Sequence, residues 1–80
     1  NNTLKLYPNP ANDKVSIEIN TNENQNVTIE ILDLMGRTIQ KQVELITIGN
    51  NKLEVNLSNL SSGLYLIKCN NSIQKIQIIK

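Results

Sequence analysis

Residues 15–31 read VSIEINTNENQNVTIEI, and the spacing of their apolar residues indicates the fold class. Apolar residues occupy every second position from Val15 to Ile19, and again from Val27 to Ile31. Alternation with a period of two is typical of β-strands that have one face in the core and the other in solvent. The polar residues 20–26 between the two segments predict a turn. The stretch therefore predicts two half-buried strands that follow one another along the chain.

The same pattern continues in both directions. We predict strands over residues 3–7, 15–19, 27–31, 37–46, 53–57, 64–69 and 73–79. Turn signals separate them, at Pro8-Asn9-Pro10, Asp33-Leu34-Met35-Gly36, Gly49-Asn50-Asn51, Ser61-Ser62-Gly63 and Asn70-Asn71. Asn makes up about one residue in six and lies mostly between the apolar segments, where its side chain favours turns over helices.

Seven short strands and no segment of helical period predict an all-β fold, a seven-stranded antiparallel β-sandwich. The absence of a helical pattern between the strands excludes parallel βαβ units. Residues 1–80 are short enough to form a single domain with one core. We expect this core to contain Val15, Ile17, Ile29, Ile31, Val55, Leu57, Tyr65 and Ile67.

Composition excludes most catalytic and metal sites. The sequence has no His and one Cys, so it cannot supply a Ser–His or Cys–His pair or the usual transition-metal ligands. Asp13 and Asp33 lie in predicted turns, where a carboxylate usually accepts backbone hydrogen bonds. Asp13 and the Asn-rich loops offer oxygen atoms to calcium, but no loop concentrates several carboxylates. We therefore predict no enzyme, no cofactor and no metal site, and we expect Cys69 to be a buried, unreactive thiol.

Charge and aromatic content exclude two further classes of partner. The formal net charge is +1, which lacks the basic excess of nucleic-acid-binding proteins. Tyr7 and Tyr65 are the only aromatic residues, too few for a platform that stacks on nucleic-acid bases. No apolar run approaches the roughly 20 residues of a membrane-spanning helix. We expect a binding or recognition module that neither binds nucleic acid nor spans a membrane.

Four segments resemble those of a known family. They are Leu6-Tyr7-Pro8-Asn9-Pro10, Asp33-Leu34-Met35-Gly36-Arg37, Leu60-Ser61-Ser62-Gly63-Leu64-Tyr65 and a Lys-bearing apolar strand that ends at Lys80. Together they are similar to the C-terminal sorting domain (type A) of type IX secretion cargo proteins of Bacteroidetes. The resemblance implies an immunoglobulin-like sandwich. It also implies that residues 1–80 are excised from the C-terminus of a longer cargo protein, with Lys80 as the natural last residue.

The resemblance further implies that the domain acts as an address. Domains of this family direct their cargo across the outer membrane through the type IX translocon, and a cell-surface sortase then usually cleaves them off, here near or upstream of Asn1. The implied partners are the translocon and shuttle proteins and the sortase. The implied location is the periplasm in transit, then the cell surface or the extracellular space. The alternative is a stand-alone interaction or carbohydrate-binding sandwich of a secreted protein.

Two roles stay open for the residues of these segments. Pro8 and Pro10 stiffen the backbone, and Gly36 and Gly63 are expected to supply positive φ at turns, so a structural role and a direct contact with the receptor are both compatible. Arg37 pairs with a neighbouring carboxylate or faces the translocon. The full set of recognition candidates is Tyr7, Pro8, Asn9, Pro10, Asp33, Gly36, Arg37, Gly63, Tyr65, Leu66, Lys75 and Lys80.

The last two predicted strands carry the remaining expectations. Leu64 and Leu66 are apolar on the parity opposite to Tyr65 and Ile67. One face of this strand, together with the apolar terminal strand, is therefore expected to dock on a receptor or to support weak self-association. The terminal run 73–79 must be paired, either within the sandwich or against a receptor strand added by β-augmentation.

Overall fold

The computed structural model describes residues 3–80, which form seven strands. They are β1 (Thr3–Tyr7), β2 (Lys14–Thr21), β3 (Gln25–Leu32), β4 (Thr38–Ile46), β5 (Gly49–Asn56), β6 (Gly63–Cys69) and β7 (Ser72–Ile78). The all-β prediction and the number of strands are confirmed. Every observed strand begins and ends within two residues of its prediction, except at the start of β5.

The prediction of a turn at Gly49-Asn50-Asn51 is wrong, because these residues begin β5. The turn lies at Thr47 and Ile48 instead. The Asn51 side chain accepts a hydrogen bond from Thr47 N–H at 3.1 Å and donates one to Thr47 C=O at 2.7 Å. Asn24 Oδ1 accepts a further bond from Ile48 N–H at 2.9 Å. The turn-forming chemistry of Asn51 therefore acts on the residues before it while its own backbone is already in the strand.

The strands form two antiparallel sheets. The three-stranded sheet has the order β1-β2-β5, and the four-stranded sheet has the order β4-β3-β6-β7. The chain crosses between the sheets after β2, β4 and β5, and this arrangement is that of an immunoglobulin-like sandwich. None of residues 3–80 belongs to a helix long and apolar enough to cross a membrane.

The core lies between the two sheets and consists almost entirely of aliphatic side chains. Each fully buried Ile or Val stabilises the fold by about 1.5–3 kcal/mol through the apolar surface removed from water. Of the predicted core residues, all are buried except Tyr65, which is half-buried and packs against the others. The buried cluster contains Ala11, Val15, Ile17, Ile19, Val27, Ile29, Ile31, Ile46, Val55, Leu57, Leu60, Ile67, Cys69, Ile76 and Ile78.

Strand β4 departs from the expectation that the apolar side of each strand faces the core. Its apolar side chains point outward, and its polar side chains face the sandwich interior, where they are half-buried. The neighbouring strand β3 dictates this orientation, because its buried Val27 and Ile29 lie opposite Glu44 and Gln42, and residues opposite one another share a face. The outward set is Ile39, Val43 and Leu45, and the inward set is Gln40, Gln42, Glu44 and the buried Ile46.

Candidate functional site

One end of the sandwich gathers the segments that were singled out in the sequence. Strand register places them there: Leu32, at the end of β3, lies opposite Leu66, and Gly63, at the start of β6, lies opposite Ile78. We call this end the motif end. It consists of loop 8–13, turn 33–37, loop 57–62 and residues 79–80. The opposite end carries the turns at residues 22–24, 47–48 and 70–71.

The proline-containing segment after β1 runs along the edge of the last strand. Asn9 Nδ2 donates a hydrogen bond to Lys75 C=O, and Asn9 Oδ1 accepts one from Gln77 N–H, both at 3.2 Å. Ala11 N–H donates to Gln77 C=O, and Ala11 C=O accepts from Ile79 N–H, both at 2.8 Å. Asn9 and Ala11 thus continue the four-stranded sheet by one short segment. The terminal strand is paired within the sandwich, which was one of the two expected arrangements.

The carboxylate of Asp33 organises the β3–β4 turn. Its Oδ1 accepts hydrogen bonds from the N–H groups of Met35 and Arg37, both at 2.9 Å, and its Oδ2 accepts one from Arg37 Nε at 2.7 Å. These bonds, above all the one from the Arg37 main chain, hold the pKa of Asp33 below its ordinary value. Arg37 therefore pairs with a carboxylate of its own turn, one of the two roles expected for it.

The tip of the same turn exposes apolar side chains. Leu34 is 60% exposed and Met35 is 82% exposed. Gly36 follows with a φ of 88°, and its N–H donates to Asp33 C=O at 3.0 Å. A side chain at position 36 would be strained in this conformation. Gly36 is thus required by the turn, whereas Leu34 and Met35 are free to contact a partner.

Tyr65 and Gly63 shape the loop that leads into β6. The Tyr65 hydroxyl donates to Ser61 C=O at 2.8 Å, four residues upstream. This contact is the tyrosine corner found in immunoglobulin-like domains. Gly63 has the expected positive φ, at 157°. Both residues of this segment therefore hold the loop in place.

Lys80 joins three parts of the motif end. Its main-chain N–H donates to Ser62 Oγ at 2.9 Å. Its Nζ donates to Asp13 Oδ1 at 3.2 Å and to Leu57 C=O at 3.0 Å. The side chain is only 27% exposed. Lys80 is thus engaged inside the domain rather than extended into solvent.

Tyr7 lies on the outer face of the three-stranded sheet. Its hydroxyl donates a hydrogen bond to Glu18, and Lys52 Nζ lies 5.9 Å from the centre of its ring. The bond to Glu18 raises the pKa of Tyr7 and lowers the pKa of Glu18. Tyr7 is therefore part of a paired polar network and does not present a free ring.

The outer face of the four-stranded sheet carries a different kind of surface. We call its apolar side chains the apolar outer face: Ile39, Val43, Leu45, Leu64, Leu66 and Ile73. Leu45 is 67% exposed, Val43 59% and Ile73 56%. Three lysines share the same side of the sheet with one carboxylate, namely Lys41, Lys68, Lys75 and Glu30. Lys41, Glu30 and Lys68 form a row across the middle of this face. The row separates Val43 and Leu45 from Leu64 and Leu66.

The structure separates the recognition candidates into two groups. Leu66 and Lys75 lie opposite one another on the outer side of the four-stranded sheet. The others lie at or beside the motif end. Val43 and Leu45 were not predicted to lie on this surface, because parity alone does not say which side of a strand faces the core.

One cavity among the described residues is lined by Asp13, Lys14, Glu54, Val55 and Asn56. Residues 3–80 contain no group of three or more His, Cys, Asp or Glu side chains that could hold a metal ion. A cavity of about 240 Å³ opens near the end opposite the motif end, where Cys69 is the one titratable side chain in its lining. Burial raises the pKa of the Cys69 thiol. Cys69 is buried, as predicted.

A solved structure has a fold similar to that of this chain. The crystal structure of dimeric latent PorU from Porphyromonas gingivalis is similar to this chain, with a TM-score of 0.79 and 19% identity over 98% of the chain. The chain spans only 9% of the length of that protein, and at this identity the likeness shows the fold alone. A search of curated proteins found no match.

A family comparison covers nearly the whole sequence. The model described as "Secretion system C-terminal sorting domain" matches residues 5–80. All four of the segments quoted from the sequence fall within or overlap this range, and the seven-stranded sandwich accounts for their positions. The chain therefore belongs to the family of secretion system C-terminal sorting domains.

Proposed function

We propose that this domain is the C-terminal secretion signal of a longer cargo protein. We further propose that the type IX secretion machinery binds its apolar outer face. As a sorting domain, the chain is a secretion signal that interacts with the type IX machinery and leads to export to the cell surface or the extracellular space. Sorting domains are generally non-catalytic, and we propose that this one has no enzymatic activity.

The apolar outer face is proposed as the binding surface because it differs from the motif segments in one respect. The polar side chains of the motif segments are used inside the domain, whereas the apolar outer face is left uncovered by residues 3–80. Exposed apolar patches bordered by charged side chains mark interaction surfaces. The internal pairs are Asn9 with β7, Asp33 with Arg37, Tyr65 with Ser61, and Lys80 with Asp13. The side chains of the motif segments thus stabilise the domain, and the apolar outer face is the proposed contact surface.

The proposed route follows from the family. The cargo folds in the periplasm, and translocon and shuttle proteins of the outer membrane bind the domain. A cell-surface sortase then cleaves the chain near or upstream of Asn1, which releases or anchors the cargo. In this scheme residues 1–80 are the terminal domain of the cargo precursor.

A carbohydrate-binding role receives no support from the two aromatic residues. Tyr7 is bonded to Glu18 and Tyr65 to Ser61, and they lie on different sheets. Self-association through the apolar outer face is the second candidate, because an exposed apolar sheet face is also suited to a second copy of the same chain.

The test is export of a folded reporter protein fused upstream of Asn1, in a host that has type IX machinery. The double variant Leu64→Lys and Leu66→Lys places two charges on the apolar outer face. We expect the exported fraction to fall about tenfold or more, since each apolar contact is worth on the order of 1.5 kcal/mol. The single variant Leu64→Lys, at a position 44% exposed, should leave the melting temperature nearly unchanged.

The matched control is Asn20→Lys, because Asn20 is exposed and lies on the outer face of the three-stranded sheet. This control should be exported like the wild type. Normal export of the double variant would contradict the proposal. A purified domain that is dimeric, and that the double variant makes monomeric without loss of export, would assign the face to self-association instead.

A further inference from the structure

The open edge of β4 presents unpaired backbone groups next to the apolar outer face. The Thr28 C=O accepts a hydrogen bond from Asn70 N–H at 3.1 Å, and Thr28 N–H donates to Asn70 Oδ1 at 3.2 Å. The main chain of Thr28 therefore points toward β6. Because backbone groups alternate along an antiparallel strand, the main chain of Val27 points toward β4, where Glu44 lies opposite.

It follows that the even-numbered residues of β4 bond to β3 and the odd-numbered residues face the open edge. Lys41, Val43 and Leu45 thus direct their N–H and C=O groups away from the sheet. Among residues 3–80, β4 is an edge strand of its sheet, with β3 as its pairing strand. The side chains of Lys41, Val43 and Leu45 lie on the outer side of the sheet, and two of the three are exposed and apolar.

The edge at the other side of this sheet is closed. Four main-chain groups of the terminal strand and the residue after it are already bonded: Lys75 C=O, Gln77 N–H, Gln77 C=O and Ile79 N–H. Their partners are Asn9 and Ala11. A receptor strand cannot pair with β7 along this stretch unless it displaces the segment 9–11. The terminal strand β7 is therefore not the favoured site for β-augmentation.

The edges of the three-stranded sheet are less suited to strand addition. On β5 the Asn56 C=O accepts a bond from Gln40 Nε2 at 2.7 Å, so its even-numbered residues face the edge. These are Asn50, Lys52, Glu54 and Asn56, all of them polar. The edge-facing residues of β4 include one charged residue, Lys41, but also the apolar Val43 and Leu45. The other edge strand, β1, has five residues, and short edge strands are poor templates. Among the described edges, β4 combines length, free backbone groups and exposed apolar side chains.

We propose that β4 is the docking strand of the domain, and that an extended segment of a secretion-machinery protein pairs with residues 41–45 and adds a fifth strand to the four-stranded sheet. This inference rests on the proposed function and names the occupant of that surface. An added strand places its outward side chains about 5 Å from Val43 and Leu45 and covers them. Backbone hydrogen bonds between the two strands contribute the affinity. The apolar side chains of Val43 and Leu45 determine which face of the added strand lies beside them.

The inward-facing side chains of β4 indicate which charge the added strand carries. Glu44 is half-buried, and the bond to its carboxylate within the domain comes from Gln42 Nε2 at 2.9 Å. A Lys or Arg of the added strand, facing inward beside Glu44, pairs with this charge. A second copy of β4 has Gln40, Gln42 or Glu44 at its inward positions, and none of these carries a positive charge. The charge pattern therefore favours a different protein with alternating apolar and basic residues.

The test is the variant Val43→Pro in the reporter export assay. Proline removes the edge-facing N–H of residue 43 and leaves the hydrogen bonds between β3 and β4 intact. We expect the melting temperature to stay within a few degrees of the wild type, while export falls roughly tenfold. Leu45→Pro is the second variant, because residue 45 has the same orientation. The control Val43→Thr retains the N–H and the β-branched shape and should be exported normally.

Each other outcome overturns the inference. Normal export of both proline variants, together with loss of export in Leu64→Lys and Leu66→Lys, would mean that the face is recognised without strand pairing, and the proposed function would stand. Strong loss of melting temperature in both proline variants would show that residues 43 and 45 bond to β3 instead. A dimer of the purified domain that Val43→Pro dissociates would identify the added strand as a second copy of this chain.

Discussion

The outer face of the three-stranded sheet is polar, whereas the outer face of the four-stranded sheet exposes apolar side chains on both sides of its charged row Lys41, Glu30 and Lys68. On the first, Glu18 lies opposite both Lys5 and Lys52 and accepts the hydroxyl of Tyr7. Lys14 and Glu54 form an ion pair at 3.6 Å on the same side. Exposed ion pairs add little stability, but they leave this face without apolar surface to bury.

The second face shows what the same sequence alternation does on an edge strand. In β2 the alternation puts the apolar Ile17 inside, and in β4 it puts the apolar Val43 outside. The register with the neighbouring strand decides which parity is buried, and the apolar parity of β4 is left facing solvent. An apolar face that the fold does not use is best explained by a partner that covers it.

The largest effect on stability is expected inside β4, at two adjacent residues of opposite parity. Ile46 is fully buried and Leu45 is 67% exposed. Ile46→Ala should lower the free energy of unfolding by about 2–5 kcal/mol, because it leaves a cavity in the core. Leu45→Ala should change it by less than about 0.5 kcal/mol. Urea denaturation measures both, and a larger cost at Leu45 would show that the orientation of β4 is reversed.

A smaller loss is expected at the turn beside the apolar face. Gly36→Ala forces an L-residue into a φ of 88° and should cost about 1–2 kcal/mol. Export should decrease only as far as the folded fraction decreases. Met35→Ser, one residue earlier and 82% exposed, is the control and should not change stability. Loss of export by Gly36→Ala at full folding would instead make this turn a direct contact.

The acid side of the stability curve tests the Asp33 turn. The pKa of Asp33 is lowered in the folded domain by its bonds to Arg37 and Met35. Its contribution is therefore present above the ordinary Asp pKa of about 3.9 and is lost as the pH falls through the lowered value. The melting temperature of the wild type should fall more steeply in this range than that of Asp33→Asn. Parallel curves for the two proteins would remove Asp33 from this role.

The smallest effect is expected on the polar face. Tyr7→Phe removes the hydroxyl that lowers the pKa of Glu18, so this pKa should rise toward its ordinary value. The melting temperature should change little, because the network is exposed. A nuclear magnetic resonance titration of the Glu18 carboxyl group in both proteins measures the shift. An unchanged pKa would mean that Tyr7 and Glu18 do not share a proton-donating contact in solution.

Local chemistry was sufficient to predict the strands, most of the turns and the core. Periodic alternation and Asn-rich breaks mark these features residue by residue, as at Val27 and Ile29. Contacts between distant residues were not predictable in the same way. Asn9 bonds to Lys75 across 66 positions, and nothing near either residue signals the partner. The start of β5 was missed because Asn51 stabilises a turn from within the strand.

The family resemblance and the structure contribute different parts of the candidate site. The quoted segments led to the sorting-domain family, and the family match over residues 5–80 bears this out. Side chains of those segments, such as Asp33 and Tyr65, form hydrogen bonds within the domain. The free surface lies mainly on residues outside the segments, such as Val43 and Leu45, because exposure depends on strand order and register.

The most direct test of the central claim compares the two faces during export. The photo-reactive residue p-benzoylphenylalanine replaces Val43 in one fusion and Lys52 in another, and cells with type IX machinery are irradiated while they export the reporter. Both positions are exposed, and they lie on the edge strands of the two sheets. We expect position 43 to cross-link to a protein of the secretion machinery and position 52 not to cross-link. Cross-links from position 52 alone, or equal cross-links from both, would contradict the central claim.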